Sequence, residues 1–260
     1  MPKHSLTGRR ALVTGASSGI GRALAIELAR SGVDLVLFAR RADRLQEVAA
    51  EVARLGRRAI CIAGDVTDSS ARQRAIDASR TEFGGLDILI NNAGIAAHGR
   101  FADADPKRLR PIFEVNFFAP VEFIRAAIPI LREGNEPLVV NIGSILGDRG
   151  VPHKTEYSAS KFALHGFSES IRPELARLGI GVMLVAPGPT ESEHFEVLLE
   201  DQGLPWPEPR RLPAEQVARR IVKEMEGSRD EIVVGFQSRL WLLLNRAFPR
   251  LVDRILARYG

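Results

Sequence analysis

Only two tyrosines and five lysines occur among the 260 residues, yet Tyr157 and Lys161 stand four apart. On a helix beginning near Thr155, positions i and i+4 share a face, so a phenol and an ammonium would open into one cleft. A cationic neighbour favours the ionised phenol, whose free pKa is about 10, so the pair suits proton transfer closer to neutrality. A surface pair without chemistry is the plainer alternative. Ser144 follows an apolar run at 138–142, where a hydroxyl could donate to a carbonyl oxygen; taken singly, a serine after Gly143 is more often a turn former. Asn116 stands among Ile112, Phe113, Val115, Phe117 and Phe118. A buried amide there must find partners, and alone it reads more often as a satisfied core group than as a catalytic one.

A second chemistry is written in TGASSGIG, residues 14–21, between an apolar run at 11–13 and a helical pattern from Ile20. Gly15, Gly19 and Gly21 permit a tight turn in which backbone N–H groups, from Ser17 and Ser18 onward, approach a pyrophosphate at a helix N-terminus. The spacing is GxxxGxG rather than GxGxxG, so the motif alone is moderately specific. The second apolar run ends in Phe38 and Ala39 and continues with Arg40 and Arg41. A carboxylate there would hold the 2′-hydroxyl of NAD, whereas two guanidiniums suit a 2′-phosphate, which favours NADP(H) with NAD(H) as the alternative. Arginines leading a solvated helix are the plainer reading.

These groups require a scaffold. Apolar runs at 11–13, 33–38, 58–62, 86–90, 138–142, 180–185 and 232–234 alternate with amphipathic segments such as 20–31, 44–55, 69–83 and 155–178. Continuous Val, Ile and Leu runs mark strands buried on both faces, and the alternation predicts a seven-stranded, doubly wound parallel sheet with ligands at the strand carboxyl ends. Pro173 predicts a kink in the helix carrying Tyr157. At 45% hydrophobic and 26% charged residues the chain reads as a single catalytic domain over 1–260. A Pro- and Gly-rich excursion at about 188–212 is expected to form a substrate lid. The net charge of +4 is too diffuse for a nucleic-acid protein, and the Cys and His spacing suggests no metal site. The lone Cys61 and the lack of an apolar leader or long apolar window point to the cytoplasm.

TGASSGIG, NNAG at 91–94, Asn116, Ser144 and YSASK at 157–161 together resemble the single-domain short-chain dehydrogenases/reductases of about 250 residues, over roughly residues 7–234. The resemblance implies a three-layer α/β/α Rossmann fold and hydride transfer between a nicotinamide and a carbonyl or alcohol. It makes Tyr157 the proton donor and acceptor, and Ser144 the group that steadies the substrate oxygen. Lys161 would lower the phenol's pKa and hold the nicotinamide ribose, and Asn116 would hold a water relaying protons to Lys161. Asp65 and Val66 would meet the adenine. Asn91, Asn92, Ala93 and Gly94 would support the cleft wall. Pro187 and Gly188 would begin the nicotinamide segment, with Thr190 or Ser192 at its amide. Some NADP-using members carry a basic residue where Ser18 stands, so the NADP reading leans on Arg40, with Arg41 and Arg22 as lesser candidates. A homodimer or homotetramer on the helices carrying Asn116 and Tyr157 is also implied.

The expected substrate wall is Ile145, Leu146, Pro152, His153, Pro189, His194, Phe195 and Leu198, mostly apolar, which points to a hydrophobic ketone, aldehyde or secondary alcohol. His153 reads as structural. From Phe236 the chain places Leu240, Leu243, Leu244, Phe248, Leu251, Ile255 and Tyr259 at helical intervals, with Arg246, Arg250, Arg254 and Arg258 every fourth residue and a break expected near Pro249. This segment, about 236–260, is expected to pack within the fold or against another subunit in preference to lying on an anionic membrane. The expected function is an NADP(H)-dependent oxidoreductase acting through Tyr157; the alternative is a nucleotide-binding sensor or scaffold without turnover.

Overall fold

A computed structural model describes residues 5–191, 198–206, 210–227 and 229–259. The chain begins β1 (Arg10–Thr14), α1 (Gly19–Arg30), β2 (Asp34–Ala39), α2 (Ala42–Arg54), β3 (Ala59–Ala63), α3 (Ser69–Phe83), β4 (Ile88–Asn91) and β5 (Ala96–His98). It continues through α4 (Leu109–Phe113), a π-helical turn at Glu114–Phe118, α5 (Ala119–Leu131), β6 (Leu138–Ile142), α6 (Thr155–Ala176) and β7 (Gly181–Pro187). The remainder is β8 (Thr190–Glu191), β9 (Leu198–Asp201), β10 (Leu212–Pro213), α7 (Ala214–Glu226), β11 (Glu231–Val234), α8 (Phe236–Ala247) and α9 (Pro249–Leu256).

Seven of these strands form one parallel sheet in the order β11-β7-β6-β4-β1-β2-β3, the doubly wound arrangement expected from the alternating runs. Successive side chains on a strand point to opposite faces, and here both faces are covered. Ala11, Val13, Leu35 and Leu37 pack beneath Leu24 and Leu28 of α1, Leu45 and Val48 of α2, and Val217 and Ile221 of α7. Leu12, Val36 and Phe38 face the other way, toward α3, Phe123 and Ile124 of α5, and Leu175 of α6. The order in which strands are added reverses at β1, which pairs with β2 on one side and with β4 on the other. That switch opens a crevice at the carboxyl ends, beside the glycine turn.

Pro173 does not end α6. It lies in the helix's last turn, where one lost backbone bond leaves the segment continuous to Ala176. The break near Pro249 does occur: Phe248 adopts φ −134°, ψ 58° between α8 and α9. Two small pairings were not anticipated. β8 pairs with β10, which joins the two ends of the 188–212 excursion to each other, and β9 within it pairs with β5 of the body. No helix among the described residues is long and apolar enough to cross a membrane.

Candidate active site

The strand ends and the first turn of α6 enclose a cavity of about 890 Å³. Gly15, Ser17, Ser18, Gly19 and Ile20 form one end of it, with Arg40, Arg41, Asp65 and Val66 beside them. Asn92, Ala93 and Gly94 line the middle. Ser144, Tyr157, Lys161, Pro187, Gly188 and Thr190 meet at the other end. Ser192, His194 and Phe195 lie outside the described residues.

The glycine turn is built for close approach. Gly15 and Gly19 have φ of 65° and 52°, in the left-handed region that glycine adopts without strain. A Cβ on Gly21 would stand 2.3 Å from the Gly15 carbonyl oxygen, so Gly21 is fixed by helix-to-turn packing and lies behind the cavity wall. Helix α1 begins without a side-chain cap and without an acidic residue in its first turn, which leaves its positive end to an outside anion. Arg41 donates to the Ser17 hydroxyl at 3.3 Å. A dinucleotide's pyrophosphate fits this donor set. Arg22 does not line the cavity: its guanidinium pairs with Glu51 at 2.6 Å.

Thr14, unremarked in the sequence, ties this turn to the NNAG segment. Its hydroxyl accepts from the Asn92 and Ala93 N–H groups at 2.9 and 3.0 Å, and Asn92 Nδ2 donates to the Thr14 carbonyl at 2.9 Å. Asn91 does not face the cavity. It is buried and donates through Nδ2 to Asn141 Oδ1 at 2.9 Å, and Asn141 donates in turn to Ser168 on α6. Asn91 therefore supports the wall from behind. Asp65 is oriented by Thr67, whose N–H and hydroxyl both donate to Oδ1.

At the other end Lys161 donates from Nζ to the Ile142 carbonyl at 2.9 Å and lies 5.8 Å from the Tyr157 ring centroid. Burial lowers the Lys161 pKa to about 8. Burial pushes the Tyr157 phenol up from its ordinary value, opposed by its hydrogen bond with Ser144. The expected lowering of the phenol by Lys161 is therefore reversed: desolvation dominates, and the ammonium is engaged by a strand-end carbonyl. Ser144 also accepts from the Leu146 N–H at 3.1 Å. Its own N–H points to Nε2 of buried His165 at 3.4 Å. His165 went unread in the sequence, although it continues the 157, 161 series by another four residues along one helix face. A Cβ on Gly143 or Gly147 would stand 2.3 or 2.5 Å from the His165 ring, so both glycines make room for this imidazole.

Asn116 lies in the π-helical turn, fully buried and behind the cavity. Oδ1 accepts from the Ile95 N–H, while Nδ2 donates to the Ile95 carbonyl and to Ser160 Oγ, at 2.9, 2.9 and 3.0 Å. Ser160 donates onward to the Tyr157 carbonyl at 2.7 Å. The Asn116 side chain thus braces the active turn of α6.

Of the expected substrate wall, Ile145, Leu146, Pro189 and Leu198 line the cavity. Pro152 and His153 do not; His153, at φ 61°, is bonded through Nε2 to the Tyr259 carbonyl at 3.0 Å and stands edge-on to Trp206. Sequence reasoning missed His98, Trp206 and Trp241, all on the wall, and placed Tyr259 only in the tail. It also missed a buried ion cluster beside the active turn. Arg108 pairs with Glu156, the residue before Tyr157, at 2.9 Å and with Glu200 of β9 at 2.9 Å.

A family model described as short chain dehydrogenase matches residues 9–203. The ketoacyl reductase HetN of Nostoc sp. (strain PCC 7120 / SAG 25.82 / UTEX 2576) is 31% identical over 98% of this chain and 91% of its own. A short-chain dehydrogenase from Burkholderia cenocepacia J2315, solved in complex with NADP, is 34% identical over 89% of this chain and 98% of its own, with a TM-score of 0.78. One from Burkholderia phymatum, solved with NAD, shares the fold at a TM-score of 0.86 over 95% of this chain and 96% of its own, with 24% identity. With the glycine turn and the Ser144, Tyr157 and Lys161 cluster opening into one cavity, these similarities place the chain among the oxidoreductases of the short-chain dehydrogenase family.

Proposed function

We propose that the protein is an NADP(H)-dependent oxidoreductase that interconverts a hydrophobic ketone or aldehyde and the corresponding alcohol. The observation that carries this reading is the single cavity of about 890 Å³ that joins an uncapped helix N-terminus to a serine, a tyrosine and a lysine. When bound, the nicotinamide supplies the hydride donor or acceptor. The chain's own groups supply position and protons. Gly15, Ser17, Ser18, Gly19 and Ile20 would hold the pyrophosphate, Asp65 and Val66 the adenine, Lys161 the nicotinamide ribose, and Thr190 its amide. Arg40 and Arg41 together would bind a 2′-phosphate, with Arg41 already reaching the pyrophosphate turn.

A raised pKa keeps the Tyr157 phenol protonated at neutral pH, the form that donates to a carbonyl oxygen as it becomes an alcohol. Ser144, hydrogen-bonded to that phenol, would donate to the same oxygen and hold it in place. Asn116 acts as a positioning residue through Ser160. Ile145, Leu146, Leu198, Trp206 and Trp241 give the substrate end an apolar wall, which favours a hydrophobic substrate. The ketoacyl reductase among the relatives supports carbonyl chemistry. Exposed Leu109, Phe118 and Phe162 on α4 to α6 support a homo-oligomer through that face.

NADPH oxidation against a panel of apolar ketones and aldehydes tests the reading. Tyr157→Phe is expected to lower kcat about 10²- to 10⁴-fold while NADPH still binds. Equal turnover in the two proteins removes Tyr157 from the mechanism. A wild type that binds NADPH and reduces no carbonyl favours a sensor.

A further inference from the structure

The chain's charge is unevenly placed. Residues 236–260 hold five arginines and one aspartate, which accounts for the whole net charge of +4; the preceding 235 residues balance 31 basic against 31 acidic side chains. The one acid, Asp253, is engaged by Arg149 at 2.5 Å. The same segment carries the largest run of exposed apolar side chains among the described residues. Phe236 is 82% exposed, Leu243 61%, Phe248 58% and Leu251 51%, with Leu240, Leu244 and Ile255 exposed alongside them.

Helical spacing sorts these groups. At 100° per residue, Phe236, Leu240, Leu243, Leu244 and Ala247 fall within one third of the α8 circumference, while Arg239 and Arg246 flank that stripe on one side. Buried Ser238 and Leu242 take the inward face. On α9, Leu251 and Ile255 adjoin Arg250 and Arg254, Val252 turns inward, and Arg258 follows in the 3-10 turn at Ala257–Tyr259. An apolar stripe edged by long cationic side chains is the pattern that sinks into an acyl boundary while its guanidiniums reach phosphates.

We propose that the outer face of α8 and α9 docks on an anionic lipid bilayer, as a peripheral contact with neither helix spanning it. Charge complementarity selects this occupant over a second copy of the chain, because a two-fold contact through this face would set its arginines against each other. The apolar patch at Leu109, Phe118 and Phe162 offers a separate surface for self-association. Phe236 and Ile255 are exposed and also line the cavity, so docking sets the cavity rim against lipid. The docking itself does not depend on the redox reading.

The test is flotation of the full chain with vesicles of phosphatidylcholine alone or mixed with phosphatidylglycerol, at low and high salt. At least about tenfold more protein should float with the anionic vesicles at low salt, and salt should diminish it. Leu243→Asp with Leu251→Asp should abolish flotation, and Arg246→Gln with Arg250→Gln should remove the preference for anionic lipid, with far-ultraviolet circular dichroism unchanged. Absence of wild-type flotation overturns the proposal whatever the variants do. Equal binding to both vesicle types, or a double-Asp variant that floats like the wild type, also overturns it. A wild type that fails to float and dissociates in sedimentation when the Asp pair is introduced would instead assign the face to a second copy.

Discussion

Ser144, Tyr157 and Lys161 hang from β6 and α6, whose neighbours are buried and cross-bonded through Asn91, Asn141, Ser168, Asn116 and Ser160. Trp206, Trp241 and Tyr259, which line the same cavity, come from a loop and short helices with exposed outer faces. The first wall fixes its chemical groups by a network of buried hydrogen bonds within the core. The second closes the cavity by apolar surface alone, apart from a few contacts such as the His153 bond to the Tyr259 carbonyl. A reaction center needs groups held to fractions of an ångström, whereas a substrate wall needs only shape and an apolar lining, so the two can be built to different tolerances.

The Arg108 cluster ties the active turn of α6 to β9, whose Leu198 lines the cavity. Arg108→Leu leaves Glu156, 4% exposed, as a buried carboxylate without its bidentate partner, and should cost about 3–5 kcal/mol in urea unfolding. Glu200 is more open, at 26%, and Glu200→Gln should cost far less. Equal losses in both variants would mean that Glu156 is held otherwise.

A smaller effect tests the cofactor end. Arg40→Ala should weaken NADPH binding by about 1.5–3 kcal/mol and NADH binding much less, as read by calorimetric titration. Tighter NADH than NADPH binding by the wild type would reverse the cofactor preference.

A third test is a pH dependence. Lys161 has a pKa of about 8 in the folded protein against 10.5 as its ordinary value. Burial of its charge weighs on stability fully below pH 8. This penalty fades as pH rises through the window from 8 to 10.5, because the unfolded chain keeps its proton longer. Lys161→Met should therefore exceed the wild type in Tm at pH 7, with the gap closing by pH 10.5. A gap independent of pH would show that the lysine is not desolvated.

The contrast between the walls also explains what the sequence made legible. The sheet could be read because strands covered on both faces need uninterrupted apolar runs, as in Leu35 to Phe38. The chemical groups could be read because Tyr157 and Lys161 lie on one helix and the glycines in one turn. Contacts between distant segments left no such periodicity. Arg108 finds Glu156 and Glu200 across 48 and 92 positions, and Asn91 turns toward Asn141 although NNAG alone places it on the cleft wall. Trp241 belongs to an amphipathic pattern whose inward face cannot be told from its outward one until α8 is packed. The direction of the Tyr157 shift was misjudged because spacing records the nearby charge and is blind to burial.

The most direct test of the central claim, that one cavity brings a dinucleotide to the Ser144, Tyr157 and Lys161 cluster, is a crystal structure of the protein with NADP⁺. The pyrophosphate should lie on the turn from Gly15 to Gly21 and the nicotinamide ring beside the Tyr157 hydroxyl, with Lys161 at its ribose. A dinucleotide bound elsewhere, or one whose nicotinamide points away from Tyr157, would contradict it.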